Sequence, residues 1–299
     1  MRPAASVRAA DADRGPQLGD EVTQRWRLGL TVTAEGGPCK SLYGTAPVPI
    51  EWPEQQVRII SEEVSPSVRE LEYRLIGETV QQMVVFIPYL EANEEAQAVV
   101  TLEITRRDLR PPNDPARYVV AQRLDRDVRI YLGTSPGIES RHARIRALAR
   151  ELTRDQPTAW AQVEAIYDWV REHVEYENGP FTGALDALKT GRGDCEEISA
   201  LFIAICRAAG IPARTVWVPD HCYPEFYLAD ETGQGHWFPC QSAGDRSFGG
   251  IPERRPILQK GDSFSVPERP KEKLRYVAEY LTGGGGKPRV RFIRELITE

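Results

Sequence analysis

The segment GRGDCEEISALFIAICRAAGIPAR, Gly191 to Arg214, constrains this chain most. Ile198, Leu201, Phe202, Ile205 and Ala209 recur at three- and four-residue intervals, the period of one helix face. Gly210 supplies a left-handed stop and Pro212 blocks continuation. The expected element is therefore a buried helix that opens at a cysteine. Cys195 lies three residues before Ile198, so it begins the apolar stripe. It also sits in the first turn, where main-chain N–H groups lack helical partners and the dipole presents positive charge. Both features favour a thiolate, and the same donors can hold an oxyanion beside the sulfur. Asp194, Glu196 and Glu197 oppose that charge, so a basic partner is required. A buried cysteine that only fills space is the alternative.

Upstream the period is different. In RWRLGLTVTA, Trp26, Leu28, Leu30 and Val32 alternate with polar or small residues, the mark of a half-buried strand. Comparable runs cover 57–64, 71–76, 80–89 and 98–105. Short strands at this spacing imply an antiparallel β-sandwich over residues 21–112, preceded by a disordered tail, residues 1–20. The turn-rich RPPNDPAR, Arg110–Arg117, marks its end. Helical stripes follow at Ile145, Leu148, Ala149 and Leu152, then at Trp160, Val163, Tyr167, Val170 and Val174. After Pro212 strands return at 214–218, 221–228 and 236–240, the last two joined by the turn ADETGQG. The core domain is placed at 113–250. Residues 251–299 are expected as a Pro-rich loop and a β-hairpin around GGGG that extends this core.

The turn, the helix and the sequence RAAGIPARTV together resemble the transglutaminase-like superfamily of cysteine enzymes. The similarity runs over about residues 132–242 and includes AIYDWVREHVEY (Ala165–Tyr176) and GALDALKTGRGDC ahead of the helix. It implies an α+β fold: the N-terminal antiparallel β-sandwich followed by a papain-like transglutaminase core, helices packed on an antiparallel sheet. It makes Cys195 the nucleophile. The family histidine opens a strand in a His-x-aromatic-x-Glu pattern, which HCYPEFYL matches at His221, with Tyr223 and Glu225 in register. The imidazole of His221 would take the thiol proton and return it to the leaving amine. The third family residue is an Asp on the next strand; within HWFPCQS the matching position is Gln241. An amide can fix the imidazole tautomer and orientation but supplies no charge. Tyr176 matches a family aromatic near the site and is expected to pack.

The implied activity is acyl transfer from amide bonds of peptides or proteins through a Cys195 thioester, with water as the expected acceptor. The alternatives are protein-glutamine gamma-glutamyl transfer, which cross-links, and an inactive transglutaminase-like binding module, which Gln241 favours. His236 competes with His221 as base. His221, Cys222, His236 and Cys240 also offer zinc ligand types, but adjacent strand residues such as His221 and Cys222 point to opposite faces. No cofactor is expected, and no Asp-rich calcium loop is present in the sequence.

The remaining bounds come from totals. The chain has 299 residues, room for two domains. A net charge of −6 and a pI near 5.5 argue against nucleic acid or anionic membranes as partners. Arg289, Arg291 and Arg294 read as a solvated strand face. No stretch of about 18 apolar residues would span a membrane, and MRPAASVRAADADRG lacks a leader's apolar segment. As written the chain reads as cytoplasmic, or as exported if a leader has been removed. Five cysteines, an odd number at low density, exclude a disulfide scaffold. Of these, Cys206 is expected in the core and Cys39 in a loop.

Overall fold

A computed structural model describes residues 14–298. Five strands come first: β1 (Gln17–Val48), β2 (Gln55–Val64), β3 (Glu70–Ile76), β4 (Val80–Leu90) and β5 (Glu95–Arg110). Helices α1 (Arg126–Arg129), α2 (Ala143–Thr153) and α3 (Ala159–His173) precede β6 (Glu175–Tyr176), α4 (Ala184–Thr190), β7 (Arg192–Gly193) and α5 (Cys195–Ala208). Strands β8 (Ala213–Val218), β9 (His221–Ala229), β10 (Gly235–Gln241), β11 (Ser247–Phe248), β12 (Gln259–Lys260) and β13 (Tyr280–Ile297) complete the order. No helix among the described residues is long and apolar enough to cross a membrane. The chain divides into two units. One takes in the described residues through Asp20 and Asp108–Glu253; the other takes in Glu21–Arg107 and the chain from Arg254 onward.

In the β unit a curled antiparallel sheet runs β2-β5-β1-β4-β3, with β13 also paired to β1. The alternation read from the sequence fixes its inner face. Trp26, Leu28, Leu30 and Val32 of β1 join Met83, Val85 and Ile87 of β4 and Val100, Leu102 and Ile104 of β5 in one buried cluster. Cys39 belongs to this cluster rather than to a loop.

Two expectations are corrected here. Residues 251–299 form no core-extending hairpin: from Arg254 they cluster with the β unit, and β13 is one strand along β1, from Thr45↔Tyr280 to Arg25↔Ile297. The glycine run lies inside that strand, where β1 changes register between Glu35 and Cys39. A Cβ at Gly286 would lie 2.2 Å from the Gly37 carbonyl oxygen, so the run lets one strand follow the other closely through the irregularity. The expected tail is likewise corrected over its described part. Residues 1–13 lie outside those described, and Gln17–Asp20 already belong to β1.

In the other unit α5 is buried along its length, and Ile203 and Cys206 are as enclosed as the predicted Ile198, Leu201, Phe202 and Ile205. A helix apolar all round must be the centre of its layer. Helices α2, α3 and α4 pack on it, as do β8 and β9 of an antiparallel sheet ordered β11-β10-β9-β8. Trp160 of α3 meets Phe226 of β9, Phe238 of β10 and Phe248 of β11 edge-on, with ring centroids 5.2–5.6 Å apart. The helix ends at Gly210, φ 84°, as its sequence implies.

Candidate active site

The cysteine is delivered by a closely fitted turn. Strand β7 pairs in parallel with β6, matching Gly193 to Tyr176. A Cβ at Gly193 would lie 2.4 Å from the Glu197 Cβ, so only glycine lets the chain turn this tightly into α5. Asp194 caps the helix, accepting from the Glu196 N–H at 2.7 Å. Glu197 reaches back to accept the Asp194 N–H at 3.1 Å, a capping box. Its other oxygen accepts the Thr182 N–H at 2.8 Å. These acidic side chains thus satisfy main-chain donors rather than facing the sulfur bare. Burial also pushes the Glu197 carboxyl up. Cys195 is then the first helical residue, part-exposed, with its own N–H outside the helical ladder.

His221 opens β9 just after the two-residue turn Pro219-Asp220, where Asp220 takes φ 57°. The β9–β10 ladder stops at the pair Glu225↔Pro239. Beyond it the strands separate, and their ends carry His221 and Gln241. The His221 Nε2 lies 3.2 Å from the Gln241 amide nitrogen and 3.4 Å from its amide oxygen. With Nε2 turned to Gln241, the other ring nitrogen of His221 is not engaged by that amide. Hydrogen bonding by the Cys222 side chain lowers the Cys195 thiol most. Burial opposes it, and the hydrogen bond from His221 and the Cys222 N–H add to the lowering, giving about 5. The arrangement holds a thiolate at neutral pH beside an imidazole and a free helix-terminal N–H.

Residues 146–242 match the sequence profile of the transglutaminase-like superfamily. This segment is similar to a transglutaminase-like core. Cys195, His221 and Gln241 all fall inside it. An uncharacterized protein of Haemophilus influenzae is 28% identical over 169 residues, which are 44% of this chain and 42% of that protein. The chain therefore matches less than half the length of that relative. Among solved structures, a candidate cysteine protease from Cytophaga hutchinsonii superposes with a TM-score of 0.62, at 17% identity, over 95% of this chain and 93% of that one. That likeness is one of fold. Similarity of this segment to the superfamily supports a cysteine-type enzyme as the general class.

Other residues singled out from the sequence of this transglutaminase-like core lie elsewhere. His236 pairs with Asp230, Nε2 to Oδ2 at 3.2 Å, and packs edge-on against Tyr118. Glu225 is buried against the Arg214 guanidinium, which lies 4.0 Å over the Trp237 ring. Cys206 and Cys240 are sealed in the core, where burial pushes their thiols well up. Tyr176 does not pack: it is 54% exposed, with its hydroxyl 3.1 Å from Asn178 Oδ1.

Three residues of the site were not singled out for it by the sequence. Cys222 is one, because strict alternation assigns it to the face opposite His221; at the strand's first residues, next to a left-handed turn, both reach Cys195. Tyr167 and Arg171 of α3 are the others. The Tyr167 hydroxyl donates to the Gln241 main-chain carbonyl at 2.7 Å. Arg171 donates to the same carbonyl at 3.1 Å, and to those of Ser242 and Gly244 at 3.2 and 2.7 Å. The apolar stripe assigns Tyr167 to the core and carries no signal for Arg171.

Proposed function

We propose that the chain is a thiol peptidase or amidase that cleaves amide bonds of peptides or proteins through a thioester on Cys195. The observation that carries this reading is a part-exposed Cys195 on the first turn of a buried helix, its thiol lowered to about 5 by hydrogen bonding of Cys222 and, after it, of His221. The thiolate attacks the carbonyl carbon, and the carbonyl oxygen takes the negative charge, facing the Cys195 N–H. His221 then passes its proton to the departing amine as the C–N bond breaks. Water, deprotonated by the neutral imidazole, attacks the thioester and releases the acid and the thiolate. Gln241 fixes the ring through Nε2. Its amide oxygen accepts the Nε2–H both of the protonated ring and of the neutral ring that acts as base through its other nitrogen.

Hydrolysis is preferred to cross-linking because transfer to an amine demands that water be kept from the thioester. Cys195 is part-exposed, and Tyr176 beside it is open to solvent. The test pairs two assays on the purified chain. Release of product from a fluorogenic peptide library, lost in Cys195→Ala and His221→Ala, supports the peptidase. Incorporation of a fluorescent primary amine into casein, without hydrolysis, would replace it with the cross-linker. A Cys195 that iodoacetamide alkylates no faster than a free thiol at about pH 6 overturns both in favour of a binding module.

A further inference from the structure

The thiol of Cys222 is enclosed within the candidate site and absent from the mechanism above. Its sulfur lies 3.5 Å from the Cys195 carbonyl oxygen and 3.9 Å from the Ser199 hydroxyl oxygen. Ser199 in turn meets Ser242 at 2.8 Å, and Arg171 holds the Ser242 carbonyl. A buried polar chain thus runs from the nucleophile to the loop that follows Gln241.

The strand register explains how Cys222 comes to face Cys195. Val218↔His221 closes the two-residue hairpin, and Trp217↔Cys222 is the next pair. Antiparallel ladders alternate bonded and non-bonded pairs, so the Cys222 N–H points away from β8. On that side β10 pairs with β9 only as far as Glu225. The N–H therefore faces an open gap, and hydrogen bonding by the Cys222 side chain and by this N–H lowers the Cys195 thiol.

We propose that Cys222 is a positioning residue for the nucleophile: its single S–H lies on the Cys195 carbonyl in the resting thiol and turns to the Cys195 sulfur in the thiolate. The inference rests on Cys195 being the nucleophile. No proton leaves Cys222; a rotation about its Cβ–Sγ bond exchanges one acceptor for the other, and acylation of Cys195 returns it to the carbonyl. An ionised acceptor strengthens a hydrogen bond about twofold over a neutral one, which biases the rotor toward the thiolate. The groups that interact with this sulfur are His221 and Cys222 on β9 and Tyr176 on β6; Gln241 on β10 meets His221, and Asp194, Glu196 and Glu197 are the charged groups at the start of α5, in the turn that carries Cys195. Of these, hydrogen bonding by the Cys222 side chain, the His221 ring and the Cys222 N–H lowers its thiol.

The test reads alkylation of Cys195 by iodoacetamide against pH, quantified on the Cys195 peptide by mass spectrometry, so no substrate is needed. Cys222→Ala removes the S–H and leaves the N–H. The expected result is a rise in the acid limb; one unit of rise lowers the thiolate population at about pH 5 roughly fivefold. Cys222→Ser keeps a donor and should recover most of that loss. Where Cys222→Ala fails to fold, Cys222→Val, near in volume and without a donor, takes its place. A profile for the donor-free variant that superimposes on wild type, or a serine variant slower than the donor-free one, overturns the proposal. Slow alkylation of the wild type would instead overturn the thiol-enzyme reading itself.

Discussion

The Tyr167 hydroxyl is bonded twice across the base of the site, donating to the Gln241 carbonyl at 2.7 Å and accepting from the Ser247 N–H at 3.0 Å. Gln241 and Ser247 are themselves paired between β10 and β11. One phenol on α3 therefore sets where the end of β10 stands, and with it the amide that meets His221. Tyr167→Phe removes one of two donors to the Gln241 carbonyl, which Arg171 still serves, and takes the acceptor from the Ser247 N–H, at about 1–3 kcal/mol. The expected outcome is a lower melting temperature together with Cys195 alkylation slowed several-fold. A melting shift with unchanged alkylation would mean that Tyr167 supports the fold and not the ring.

The pH dependence of the nucleophile follows from its lowered thiol. The Cys222 side-chain hydrogen bond lowers Cys195 most, against burial, with His221 adding to it, so the sulfur is ionised above about 5. Alkylation should rise through about pH 5 and then level off, whereas an ordinary thiol keeps rising through about pH 8.5. His221→Ala removes one of the hydrogen bonds, and the limb should move to higher pH. Stopped assays on the Cys195 peptide between about pH 4 and 9 measure both curves. A wild-type limb near that of free cysteine would refute the assignment.

How much of this was legible in the sequence depends on the range of the interaction. The Cys195 helix was readable because its period, its glycine stop and its capping residues are local. So was the inner face of the sheet, from the alternation of Trp26 to Val32. The clamp from Tyr167 and Arg171 spans about 70 residues and ends on main-chain carbonyls, which no side-chain pattern encodes. Cys222 was misassigned for a different reason. Alternation is a rule for regular strand, and β9 begins next to Asp220 at φ 57°. The glycine run in β13 reads as a turn by composition alone; only the backbone of Gly37 opposite it shows why side chains are excluded there.

Glu197 tests whether the turn itself matters to the chemistry. Its two oxygens accept from Asp194 and Thr182, so both lone-pair sides are committed. Glu197→Gln presents an NH₂ to one of these donors and should cost about 1–3 kcal/mol at neutral pH. The pH sign is distinctive. Burial raises the folded-state carboxyl above its unfolded value, so this group favours folding most at low pH and the benefit is lost as pH rises through the folded value. The penalty of the substitution, read by urea unfolding, should therefore change between about pH 4 and 7. A pH-independent penalty would mean that the carboxyl does not titrate with folding.

Glu225 shares the His221 strand but serves the fold. It is buried with Arg214, whose guanidinium also lies over Trp237. Glu225→Ala leaves a buried cation without its counter-charge, at about 3–5 kcal/mol. The expected result is a large loss of stability in urea. In whatever fraction stays folded, the pH limb of Cys195 should be unchanged, because the groups that shift its thiol are Cys222 and His221. A shifted limb in the folded fraction would place Glu225 in the chemistry after all.

Gln241 stands where the superfamily pattern has Asp, and the geometry predicts which carboxylate would serve. Its main chain is pinned by Tyr167, Arg171 and the pairing to Ser247, so the backbone does not follow a change of side chain. Asp is one methylene shorter and withdraws the carboxylate by about 1.5 Å, a carbon–carbon bond length. From the observed 3.2–3.4 Å separation, Gln241→Asp would lose the direct hydrogen bond to Nε2. Gln241→Glu keeps the reach and adds the charge that an imidazolium favours. The Glu variant should hold the thiolate–imidazolium pair to higher pH and raise peptide hydrolysis several-fold, while the Asp variant falls below wild type. The reverse order, Asp above Glu, would show that the end of β10 moves inward, and that the clamp from α3 does not fix the depth of residue 241.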